Sequence, residues 1–144
     1  MLFVDASVIV AILAQEDDAE VLMDRLGRDT GPFYISAVSR LEATLSLTRR
    51  LAEASGRDKP ATPEMIKAAR QMVDQFTMDI DARDVLISSS VGDKAIDAAQ
   101  QYGKIVNHRA NLNMGDCLAY ACAKAYRAQI AYKGDDFTYT DMGW

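Results

Sequence analysis

Acidic side chains occupy the positions of this chain where chemistry is easiest to build. Asp5 closes the apolar run at 2–4 and precedes a second apolar stretch, so its carboxylate is held at the edge of a core with no Lys or Arg close by in sequence. Glu42 lies within a helical stretch that follows another apolar run. Asp116 falls in the first turn of a late helix, and Asp135 and Asp136 follow a last apolar run at 130–132. Each acid has a plain structural alternative. Asp116 would suit a helix macrodipole, Glu42 stands three residues after Ser39 in cap-like spacing, and Asp135 and Asp136 would suit a turn. Convergence at one site implies more than that. Two carboxylates about 4 Å apart repel by roughly 4 kcal/mol at an effective dielectric of 20, and a divalent cation relieves the repulsion. An all-oxygen ligand set favours Mg²⁺ or Mn²⁺, which can polarise a phosphodiester and activate water.

The remaining reactive residues narrow the chemistry. The single histidine, His108, cannot supply a paired-histidine ribonuclease, and histidine-rich zinc chemistry is poorly provided for. A Ser-His-Asp hydrolase would need that one histidine well placed. No Gly-rich loop with Lys-Ser/Thr and no GxGxxG occurs, which gives nucleotide-driven chemistry little support. Asp5-Ala6-Ser7 lacks the acid two residues on that an aspartate-based phosphotransferase or phosphatase would want. A non-catalytic binding module would require the placement of the acids to be incidental. Cys117 and Cys122 read as small buried hydrophobes, and Met23, Met65, Met72 and Met78 as core filler. His108 and Arg109 read as surface, with a phosphate contact as the alternative.

These acids must be positioned by a chain of 144 residues, room for one domain over 1–144. Hydrophobic residues make up 49% and charged residues 26%, which predicts a packed core without disulfides or a structural metal. The net charge of −5 argues against a general nucleic-acid coating protein, although a local basic rim is compatible with it. The start lacks a positive leader and no run reaches the roughly 20 apolar residues of a membrane span, so a cytoplasmic protein is expected. Strands are predicted at 2–4, 33–35, 130–132 and near 78–80. Helices are predicted after Ser7 as a cap, at 17–28 with Leu22 and Leu26 on one face, and at 37–54 with Val38, Leu41, Leu45 and Leu51 at helical spacing. Another begins at Pro63 after the loop 56–63, with Thr62 as its cap and Met65, Ile66, Ala69, Met72, Val73 and Phe76 on its apolar face. Ser90 precedes a helix at 91–102, and Asn113 one at 114–127. Strands separated by helices predict a parallel sheet covered on both faces, with 49–79 as a long helical excursion.

The motifs LFVDAS at the start, SRLEA around Glu42, LNMGDCLAYACAK around Asp116 and KGDDFTYTD near the end resemble the PIN-domain ribonucleases, among them the VapC-type toxins of bacterial toxin–antitoxin pairs. The resemblance covers essentially the whole chain. It implies a three-layer α/β/α domain with a mainly parallel sheet, and a metal-dependent endoribonuclease using Mg²⁺, or Mn²⁺. Asp5, Glu42 and Asp116 would fill the first three acidic positions. Asp136, the acid before Phe137, matches the fourth better than Asp135, and Ser7 resembles the hydroxyl that supports the first acid. A homodimer and a VapB-type antitoxin are implied as partners, the antitoxin lying along the site and placing an Arg or Lys among the acids. Leu22, Leu26, Leu45 and Leu51 are the apolar residues considered for that groove.

Overall fold

A computed structural model describes residues 1–56, 58 and 60–144. Four short strands form one all-parallel sheet in the order β3-β2-β1-β4, where β1 is Leu2–Val4, β2 Phe33–Ser36, β3 Arg83–Val85 and β4 Gln129–Ala131. Leu2 pairs with Phe33 on one side and with Gln129 on the other, so the first strand lies between the second and the last.

Side chains alternate across the sheet, and both faces are covered. Phe3 and Ile130 point into a core shared with α5 (Ser89–Tyr102) and α6 (Met114–Ala125). Leu2, Val4, Ile35 and Ala131 point into a second core built with α1 (Ala6–Leu13), α2 (Ala19–Gly27), α3 (Ala37–Ala54) and α4 (Pro63–Asp79). The three-layer α/β/α architecture is the one expected. Among the described residues no helix is long and apolar enough to cross a membrane.

Several local expectations need correction. The strand near 78–80 is instead the end of α4, because the apolar spacing of Ala69, Val73, Phe76 and Ile80 continues through it. Asp81, with φ 50°, then turns the chain into β3. Only Val85 of β3 is buried, so this edge strand carried little apolar signal. In α3 the buried stripe runs through Ala43, Thr44, Leu47 and Thr48, whereas Leu41 and Leu45 are exposed. Ile66 is likewise exposed, and so are Met23 and Met78, which are not core filler. Cys117 and Cys122 are buried thiols as expected. Arg57 and Lys59 of the 56–63 loop lie outside the described residues.

Helix starts follow the side chains available to satisfy their free N–H groups. Asp5 itself, rather than Ser7, caps α1, and its Oδ2 accepts from Ser7 N at 3.0 Å. Ser36 caps α3, Thr62 caps α4 ahead of Pro63, and Ser88 rather than Ser90 caps α5. Asn113 and Asp116 cap α6 reciprocally, Asn113 N donating to Asp116 Oδ2 at 3.0 Å and Asp116 N to Asn113 Oδ1 at 2.9 Å. With all strands parallel, the starts of α1 and α3 and the chain leaving β4 meet at one sheet edge, the usual place for a site in such folds.

Candidate active site

A cavity of about 690 Å³ opens at that edge, and Asp5, Glu42, Asp116 and Asp136 all line it. Asp5 is 7% exposed, at the junction of β1 and α1. Ser7 Oγ donates to Asp5 Oδ2 at 2.6 Å and in turn accepts from Lys133 N at 3.0 Å. The hydroxyl therefore ties the first acid to the turn that follows β4. Gly134, at φ +89°, allows that turn to reverse toward Asp136. Asp135 does not line the cavity, whereas Asp136 does.

Glu42 approaches from α3 and rests on the first turn of α6. A Cβ added to Gly115 would overlap Glu42 Oε1 and stand 2.6 Å from its Cδ. A glycine at 115 leaves the space that the Glu42 carboxylate occupies against α6. Nothing in the sequence marked Gly115 beyond a poor helix former placed just inside a helix.

The acids raise one another's pKa. Burial pushes the Asp5 carboxyl above its ordinary range against the hydrogen bonds from Ser7, and Asp136 adds to the rise. Burial and then Asp5 raise Glu42, while burial and then Asp135 raise Asp136. Asp116 is pushed up to about 7 by burial, against the Asn113 hydrogen bond and with help from Asp136, Asp5 and Glu42. Burial disfavours the charged form of each carboxyl, and neighbouring acids add to that effect.

Cations are present as well. Arg49, Arg50 and Lys133 line the same cavity, as do the further acids Glu16 and Glu53. Glu16 pairs with Arg50 at 3.2 Å and with Lys133, which also reaches Asp18 at 3.0 Å. Sequence reasoning singled out none of these residues, because only the fold brings the end of α3, Glu16 and Lys133 together. His108 lies elsewhere. Its Nδ1 accepts from Ala110 N at 3.0 Å and its ring meets Tyr102 edge-on, while Arg109 lies over Tyr139. Of the four leucines considered for a groove, Leu45 alone lines the cavity; Leu22 and Leu26 are buried and Leu51 packs against the core.

The family model of the PIN domain matches residues 2–142. The chain belongs to the PIN-domain family. Its relatives include a "VapC ribonuclease" of Rhizobium meliloti (strain 1021), 44% identical over 144 residues, covering 99% of this chain and all of that one. "Ribonuclease VapC42" of Mycobacterium tuberculosis (strain ATCC 25618 / H37Rv) is 33% identical over 141 residues, covering 98% of this chain and 96% of that one. The crystal structure of Mycobacterium tuberculosis VapC20, described as a sarcin-ricin loop cleaving toxin, superposes with a TM-score of 0.71 at 16% identity, over 99% of this PIN domain and 97% of that chain. That likeness speaks for the fold.

The donor set of this PIN domain fits a hard divalent cation. The four groups are all carboxylates, and burial followed by a neighbouring acid raises the pKa of each. Among the described residues no three His, Cys, Asp or Glu side chains close into a ready-made cage. Mg²⁺ does not require one, since it retains several waters and binds through one or two carboxylates.

The raised pKa values set a pH dependence for the metal-free PIN domain. A carboxyl whose pKa rises on folding binds more protons folded than unfolded between the two values, so stability falls as pH rises through that window. For Asp116 the window runs from 3.8 to about 7. In chelator, the melting temperature is expected to decline between pH 5 and pH 8, and to decline less in Asp116→Asn. Equal pH slopes for the two proteins by thermal denaturation would contradict this assignment.

Proposed function

We propose that this PIN domain, read as one unit over 1–144, is a metal-dependent endoribonuclease that hydrolyses RNA phosphodiester bonds as the toxin of a toxin–antitoxin pair. The observation that carries the reading is the convergence of Asp5, Glu42, Asp116 and Asp136 on one cavity at the carboxyl edge of the sheet. Relatives of the whole length that are named ribonucleases support it. Asp5, Asp116 and Asp136 would hold Mg²⁺ or Mn²⁺, and Glu42 would help bind it or orient the attacking water. Bound there, the cation supplies a Lewis acid for the phosphodiester and favours ionisation of the attacking water.

The chain's own contribution is placement. Ser7 fixes the Asp5 carboxylate by two hydrogen bonds, the Asn113 backbone fixes Asp116, and Gly115 leaves room for Glu42. A homodimer and a VapB-type antitoxin are the proposed partners, in the cytoplasm. An apolar groove lined by Ile96, Ile105, Met114 and Leu118 adjoins the acid cavity and shares Asn113 with it. Its exposed side chains, Ile105 at 88% and Met114 at 81%, support a protein partner on this face.

Cleavage of RNA by purified protein tests the reading. Activity is expected with Mg²⁺ or Mn²⁺, to vanish in EDTA and to return when excess metal is restored. Full activity in EDTA would overturn the metal mechanism.

A further inference from the structure

Among the described residues six acids line the cavity against three cations, an excess of negative charge before any substrate arrives. A nucleic-acid strand needs fixed positive charge where its phosphates lie. Two of the three cations are already committed. Arg50 and Lys133 both pair with Glu16, whose side chain is 17% exposed, and Lys133 also pairs with Asp18. This set braces α3 against the chain after β4 and leaves little charge to offer. Arg49 differs: it is exposed and forms no ion pair among the described residues, and its Nη2 donates to Ser46 Oγ at 3.1 Å. Ser46 lines the same cavity, as does Arg49 itself.

Helix geometry places Arg49 usefully. It follows Glu42 by seven residues of α3, which is two turns on the same face and about 10 Å along the axis. The distance puts it outside the acid cluster and beside the path a strand would take away from it. A guanidinium presents a planar fork of donors that matches two phosphate oxygens.

Resting on the ribonuclease reading, we propose that Arg49 is the residue that grips the RNA backbone next to the cleaved bond, a substrate-holding role distinct from the chemistry of the four acids. Arg50 and Lys133 serve as a brace.

Binding of a short fluorescein-labelled single-stranded RNA, followed by anisotropy across a salt series, tests this in an Asp5→Asn background with Mg²⁺ present. Arg49→Ala is expected to weaken binding about tenfold and to lower the slope of log K against log salt by about 0.7, one phosphate contact. Arg49→Lys keeps the slope while losing part of the affinity, and Arg50→Ala leaves the slope unchanged. In the otherwise wild-type enzyme, Arg49→Ala raises KM with kcat within about twofold. An unchanged Kd and slope for Arg49→Ala overturns the proposal, as does a fall in kcat at constant KM. The ribonuclease reading fails separately: wild-type protein that cleaves no RNA with Mg²⁺ and binds none removes both claims.

Discussion

Asp5→Asn is expected to abolish RNA cleavage, lowering kcat by at least about a hundredfold, while leaving the metal-free protein as stable as wild type or more so. The two effects have one cause. Asp5 is a buried carboxylate whose neighbours are other acids, so in the absence of a cation its ionised form is a burden on the fold. Asparagine retains the oxygen that accepts from Ser7 N and Ser7 Oγ, and it caps helices about as well as aspartate. The charge alone is lost. Comparing melting temperatures in chelator at pH 8 with single-turnover cleavage rates separates the two outcomes. A variant that is inactive because it is destabilised would place Asp5 among the structural caps rather than in the site. Asp5→Ala makes the contrast sharper, since it also removes the cap and is expected to cost about 1 kcal/mol.

Gly115→Ala is the second large effect. In an ordinary helix this change stabilises by about 0.5–1 kcal/mol. Here the new Cβ would overlap the carboxylate of Glu42. The end of a glutamate side chain can swing away, so the fold survives and the melting temperature moves little. Glu42 no longer faces the cavity with Asp116, and a displacement of about 1 Å at a catalytic group can cost on the order of a hundredfold in rate. A double-mutant cycle provides the check. Gly115→Ala should reduce activity strongly in the wild type but hardly at all on top of Glu42→Ala, because the two changes remove the same group. Independent, additive losses would show that Gly115 serves some purpose other than clearing space for Glu42.

Gly115 also illustrates what a sequence conceals. Asp5 was legible because an uninterrupted apolar strand ends on it, and the layered α/β/α order was legible because short apolar runs alternate with helical spacing. The contact between positions 42 and 115 has no local signature, since it exists only once α3 and α6 cross. The same holds for Glu16 with Arg50 and Lys133, three residues from three elements. Edge strand β3 escaped notice for the opposite reason. The apolar periodicity of α4 runs to Ile80 and masks a three-residue strand with one buried side chain. In α3, Leu41 and Leu45 suggested a core stripe, but the packed face is made of Ala43, Leu47 and two threonines whose hydroxyls bond the preceding turn, Thr44 to Arg40 O at 2.8 Å and Thr48 to Thr44 O at 2.7 Å. Hydrophobicity alone does not identify a buried face that is partly polar and satisfied.

The pairing of β4 with β1 has a consequence for synthesis. The strand made first acquires one of its two neighbours only when the segment around Gln129–Ala131 arrives, and Asp136 comes later still. Chains emerge from the ribosome amino end first, and long-range strand pairing waits for its last member. The growing polypeptide therefore carries Asp5, Glu42 and Asp116 well before it carries a working cleft. The four acids share one cleft only after the segment through Asp136 has been added, so a chain stopped short of it would hold three of them without the turn that completes the site.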